Sequence, residues 1–201
     1  MKLQTESEYL MLGGNVFKVY AGKGKPIYPE ILYRTYDQIE AMLSHYSRVL
    51  LVRIDIRNHS AEQTNRVMTK LSSKLKKRLN TKAYGFINRL GYAWAREQKT
   101  SEAHHYHLAL MLDGHKVQHP HRVIELVGDI CWRSNLSAYT PRNCYYLLRR
   151  SEIDGQTLAN AIYRLSYLAK VNTKDKRPST THDYGTSRIK PRTKRHTEAA
   201  A

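Results

Sequence analysis

A chain of 201 residues is long enough for one well-packed domain and short for two. No apolar run is long enough to span a bilayer, and "MKLQTESEYLMLGG" at the start does not resemble a signal peptide, so a cytoplasmic protein is expected. The formal net charge of +17, from 34 Lys and Arg against 17 Asp and Glu, points to a polyanionic partner, nucleic acid first. Cys131 and Cys144 form no C-x-x-C and read as reduced core thiols. In chain order, residues 1–35 include "AGKGKPIYPE" and read as an irregular N-terminal arm. "YDQIEAMLSHY" spaces Ile39, Met42, Leu43 and Tyr46 as a helix does. "RVLLVRIDIR" alternates Leu51, Arg53 and Asp55 against Val52, Ile54 and Ile56, which predicts a strand.

Ser60 and Gln63 have the spacing of a capping box, which opens a helix with Val67, Leu71, Leu75 and Leu79 on one side. Its other faces carry Lys70, Lys74, Lys77 and Arg78, candidates for phosphate contact as well as for plain solvation. "YGFINRLGYAWAREQ" and "AHHYHLALML" read as two strands joined by the turn "KTSE". "HRVIELVGDICWRSN" predicts a helix, "NCYYLLRR" a short strand, and "DGQTLANAIYRLSYLAK" a helix capped by Asp154. Residues 36–172 therefore form the expected domain, and residues 173–201 a basic tail without periodicity, disordered when free. The order α-β-α-β-β-α-β-α, with a tight hairpin in it, predicts an α+β fold with an antiparallel sheet flanked by helices.

Side chains alternate across a strand, so His105 and His107 share one face while His104 and Tyr106 take the other. The two imidazoles start about 6.6 Å apart, close enough to hold one ion. If the bulky Tyr92 and Trp94 of the preceding strand face the same way as Tyr106 and Leu108, Glu97 falls beside His105. Glu97, His105 and His107 then make a three-ligand metal site with open positions. The same H-x-H spacing also suits two ordinary strand histidines, and His119 and His121 repeat it around Pro120. Further on, Tyr163, Tyr167 and Lys170 follow i, i+4, i+7 on one helical stripe, while Leu158, Ile162, Leu165 and Ala169 form another. With an aliphatic stripe for the core, the phenols are available, although 15 tyrosines in one chain make such a pair by accident too. An ordinary phenol with a pKa of about 10 needs a nearby cation or a polarised electrophile to act as a nucleophile.

Together these residues resemble the HUH endonucleases, specifically the two-tyrosine rolling-circle replication initiators of phages and plasmids, with the filamentous-phage (inovirus) and prophage proteins as the subgroup most resembled. The motif residues are His105-Tyr106-His107 followed by aliphatics, the upstream acid Glu97, and "YRLSYLAK" with Tyr163, Tyr167 and Lys170. The resemblance covers roughly residues 48–172. It implies a split β-α-β, ferredoxin-like nuclease domain. It implies cleavage and rejoining of single-stranded or hairpin origin DNA through a 5′-phosphotyrosine, with a divalent metal held by Glu97, His105 and His107, and with Lys170 orienting phosphate or phenol. Mg or Mn is implied ahead of Zn, although the ligand types also suit Zn. Arg53 and Asp55 stand where many relatives have Thr or Ser and receive no role. "GKGKP" is not a P-loop, so a host helicase and single-strand-binding protein are implied as partners. The rival readings are a non-catalytic DNA-binding regulator derived from such a nickase and a metal-dependent phosphoesterase that activates water.

Overall fold

A run of alternating and then continuous apolar residues places one strand at the centre of the protein. A computed structural model describes residues 3–60, 64–97, 104–153, 155–172, 174 and 181–193. Among them are a hairpin of β1 (Tyr9–Leu12) and β2 (Asn15–Lys18), then α1 (Pro29–His45), β3 (Arg48–Asn58), α2 (Arg66–Leu79), β4 (Gly91–Glu97) and β5 (His105–Asp113). After these come α3 (His121–Trp132), β6 (Leu136–Tyr139), β7 (Tyr145–Arg149), α4 (Gln156–Leu165) and β8 (Tyr184–Thr186). The six-stranded sheet runs β6-β3-β5-β4-β8, and β7 pairs with the first half of β3, beside the stretch taken by β6. Every pairing is antiparallel. The protein is thus α+β, with an antiparallel sheet flanked by helices, as its residue pattern predicts.

The helices divide between the two faces. Val49, Leu51, Ala93, Ala95, Ala109 and Met111 pack with α1 and α4. Leu50, Val52, Ile54, Ile56, Trp94, Tyr106, Leu108 and Leu110 pack with α2 and α3. A strand covered on both sides needs apolar residues at successive positions, which explains why Val49 through Val52 are all buried. The register places Tyr92 opposite Leu110, Trp94 opposite Leu108 and Glu97 opposite His105, the hairpin alignment expected for a shared bulky face. The linking turn at 98–103 lies outside the described residues.

Several local expectations are corrected. The segment read as an irregular arm contains the β1–β2 hairpin, closed by Gly13 and Gly14 at positive φ, and α1 already begins at Pro29. Leu12, Phe17 and Val19 of this segment are core residues, so their burial, rather than strand propensity, orders it. The capping box is not used at Ser60: its hydroxyl donates to the Asn58 side chain, and α2 starts at Arg66, after Asn65. Gln63 and the proposed cap Asp154 lie outside the described residues. β6 was not anticipated. Part of the expected disordered tail forms β8 on the edge of β4, where Ser187 donates to the Gln38 side chain and Tyr184 donates to Glu30. Gly185 lies flat against the Trp94 ring, where a Cβ would come within 2.7 Å of it. Finally, α4 ends at Leu165 and continues as a 3-10 turn over Ser166–Ala169.

Candidate active site

The strands β3, β4 and β5 bring six polar side chains, Arg53, Asp55, Arg57, Glu97, His105 and His107, to the face covered by α1 and α4. Asp55 and Ala95 flank His107 in register, and Arg57 and Glu97 flank His105. His107 is held at both ring nitrogens, with Asp55 Oδ1 2.7 Å from Nδ1 and Glu97 Oε2 2.9 Å from Nε2. Burial opposes charge on this imidazole, but hydrogen bonds and negative charge from Asp55 and Glu97 outweigh it and raise its pKa above the ordinary value. Burial likewise pushes the Asp55 carboxyl upward. The hydrogen bond from His107 and the charges of His107 and Arg53 reverse that and hold it below the usual carboxylate range. The buried Arg53 points its Nε and Nη2 at the two oxygens of Asp55, at 3.3 and 3.4 Å. Its Nη2 also lies 3.1 Å from His107 Nδ1, but the shorter charged contact to Asp55 makes Nδ1 a donor, so this close approach is not a hydrogen bond. His105 is exposed, yet partial desolvation of its ring together with the charges of Arg57 and His107 lowers its pKa.

Imidazole and carboxylate donors, the types a divalent metal takes, share this face. Asp55 accepts a hydrogen bond from Nδ1 and so fixes the His107 tautomer, leaving Nε2, aimed at the Glu97 carboxylate, as the nitrogen open to a ligand role. His105 follows on the same face. In their present positions no three His, Cys, Asp or Glu side chains among the described residues converge as metal ligands. Glu97 and His107 bond each other, and a cation placed between them would have to displace that shared proton.

The tyrosines stand on the same side of the sheet. Tyr163 lies on α4 and Tyr167 on the 3-10 turn beyond it, with ring centroids 6.5 Å apart and nearly perpendicular. Tyr163 is 38% exposed and Tyr167 is partly covered. Both line a cleft of about 850 Å³ between α4 and β7, together with Tyr145, Tyr146, Asn160 and Arg164. Burial raises the Tyr167 pKa, as do Tyr20 and Tyr163 beside it, while Arg164 and Arg53 pull it down. Lys170 does not sit at a phenol oxygen: its Nζ lies over the ring of Tyr167 at 4.3 Å from the centroid and over that of Tyr20 at 4.7 Å. The residue joining the two halves of the site is Arg53, whose guanidinium touches the Asp55–His107 pair and lies 5.8 Å from the Tyr167 ring centroid.

Asp55, Arg53, Arg164 and Tyr20 belong to this constellation and were not singled out as site residues. Two charges on a central, otherwise apolar strand were a usable signal for Arg53 and Asp55; Tyr20 had none. The candidate DNA-contacting side chains Lys70, Lys74, Lys77 and Arg78 are exposed on α2, which packs on the opposite sheet face from the tyrosines. They form a separate surface, where Lys74 donates to Ser134.

With this fold and site in place, the class is an α+β domain whose family can be stated. The chain belongs to the YagK/YfjJ C-terminal domain family, a prophage-associated family whose model matches residues 15–187. That match includes β2 and β8, beyond both edges of the domain expected from the residue pattern. Neither a curated protein nor a solved structure matches the chain.

Proposed function

We propose that this protein is a metal-dependent nicking and joining enzyme for single-stranded DNA, a rolling-circle initiator of the HUH kind. The observation that carries the reading is the meeting of the Glu97, His105 and His107 face with Tyr163 and Tyr167 through Arg53. A divalent cation held by Glu97, His105 and His107, Mg or Mn ahead of Zn, would polarise the scissile phosphate as a Lewis acid. A tyrosine oxygen attacks phosphorus, loses its proton, and forms the phosphotyrosine bond; the bond from phosphorus to the 3′-oxygen breaks, and that oxygen leaves as a hydroxyl. Arg53 and Arg164 lie over the Tyr167 ring and oppose its raised pKa. They supply positive charge where the phosphate and phenolate accumulate negative charge. The second tyrosine then cleaves the regenerated junction while the first keeps its strand. Origin DNA, single-stranded or as a hairpin, is the substrate, with a host helicase and single-strand-binding protein as partners in a bacterial cytoplasm.

The test is covalent. Incubating the protein with Mn²⁺ and single-stranded origin oligonucleotides from the prophage should give a denaturant-stable adduct, absent with EDTA and absent when Tyr163 and Tyr167 are both changed to Phe. Cleavage without adduct favours the water-activating phosphoesterase. Binding with neither cleavage nor adduct favours the non-catalytic regulator.

A further inference from the structure

The N-terminal segment does more than cover the core: it clasps the chain around Tyr167. Ile27 bridges to Lys170, the Tyr28 amide donates to the Ala169 carbonyl at 2.8 Å, and the Val171 amide donates to Pro26 at 3.1 Å. The Tyr20 amide donates to the buried Ser166 hydroxyl at 2.7 Å, and that hydroxyl donates to the Tyr163 carbonyl at 2.6 Å. One serine therefore ties Tyr20 to the backbone between the two candidate nucleophiles. The side chain of Tyr20 is then laid on Tyr167, with centroids 4.1 Å apart and planes 27° from parallel. Its contact with Tyr163 is only edge-on, at 6.4 Å. Lys170 packs over the Tyr20 and Tyr167 rings together, and Lys25 lies 5.7 Å from the Tyr20 centroid.

This asymmetry separates two otherwise similar phenols. Tyr167 is stacked, bordered by Lys170, Arg53 and Arg164, and reaches the His107–Asp55 pair through Arg53. Among the described residues Tyr163 meets other rings only edge-on, and it lies open on the cleft. We infer that Tyr20 is a positioning residue that holds Tyr167 against Arg53, so that Tyr167 takes the first strand cleavage and Tyr163 the second. The inference rests on the nickase reading for its catalytic half and on ring geometry alone for its structural half. Tyr20 touches neither phosphate nor metal in this scheme; it acts through Tyr167.

Trypsin separates the two outcomes, because Arg164 lies between the tyrosines: Ser151–Arg164 carries Tyr163 and Leu165–Lys170 carries Tyr167. Single-turnover adduct formed by the wild-type protein with Mn²⁺ and origin oligonucleotide should map to the second peptide. In Y20A the ratio of Tyr167 to Tyr163 adduct should fall roughly three- to tenfold, the worth of a lost aromatic pair. Y20F, which keeps the ring, should restore the ratio. Nitration by tetranitromethane without DNA reads the same contact independently of catalysis: Tyr163 should react before Tyr167 in wild type and Y20F, and Tyr167 should become several-fold more reactive in Y20A. Wild-type adduct on Tyr163 overturns the assignment of Tyr167 as first nucleophile, and an unchanged adduct ratio in Y20A overturns the claim that Tyr20 selects it. Unchanged nitration in Y20A overturns the positioning role itself. No adduct in wild type, with the nitration shift intact, overturns the nickase reading while leaving Tyr20 as the residue that holds Tyr167.

Discussion

Asp55 is where the site depends most on one side chain. Its carboxylate accepts from His107 Nδ1, pairs with the buried Arg53, and thereby decides which imidazole nitrogen faces Glu97. D55N keeps the shape but removes the charge that orients the ring and balances Arg53. Mn²⁺ affinity measured by calorimetry should then fall about 10- to 100-fold, the usual cost of losing a partner behind a metal ligand. An affinity equal to that of wild type would leave Asp55 a purely structural ion-pair partner. The histidines and the tyrosines were visible in the amino-acid order because strand alternation and helical spacing are short-range rules. Asp55 stood out only as a charge on an apolar strand, its partner fixed by which strand lies beside β5, and Tyr20 not at all, because it lies more than a hundred residues from Tyr167. Arg164 is adjacent to Tyr163 in sequence, yet its guanidinium lies over the ring of Tyr167, three residues on.

The elements hardest to anticipate were the short ones at the sheet edges. β3, β5 and the helices carry strong periodicity, so their apolar stripes reveal them. β8 has three residues, is rich in polar groups, and is ordered by what it docks against: the Trp94 ring under Gly185, Gln38 beneath Ser187, and Glu30 at Tyr184. The Tyr184 contact has a pH signature. Burial and the Glu30 carboxylate push its phenol up to about 12, above the ordinary value of about 10. A group whose folded pKa is raised stabilises the fold fully below the unfolded value and ceases to as pH climbs through the folded one. The stability advantage of wild type over Y184F, followed by thermal unfolding, should therefore hold up to about pH 10 and vanish toward pH 12. An advantage that stays constant across that window would show that the hydroxyl does not tether β8.

For the whole molecule, the net charge of +17 is spread over two faces that do different work in this account. Arg53, Arg164 and Lys170 surround the tyrosines, while Lys70, Lys74, Lys77 and Arg78 project from α2 on the far side of the sheet. No helix among the described residues is long and apolar enough to cross a membrane. If α2 rests on DNA phosphates, neutralising those four side chains together should weaken oligonucleotide binding. It should also flatten the dependence of log K on log salt by roughly 3, given a release of about 0.7 counterion per single-strand phosphate contact. An unchanged slope would confine the DNA to the tyrosine face. The central claim is narrower than any of these: one place on the sheet holds a metal beside two phenols. Its most direct measurement is paramagnetic broadening by Mn²⁺ of ring resonances in tyrosine-labelled protein, assigned with Y163F and Y167F. Substoichiometric Mn²⁺ should broaden the Tyr163 and Tyr167 signals strongly in wild type and weakly in a protein carrying E97Q and H107A. Equal broadening in both proteins, or sharp Tyr163 and Tyr167 lines with Mn²⁺ bound, would contradict it.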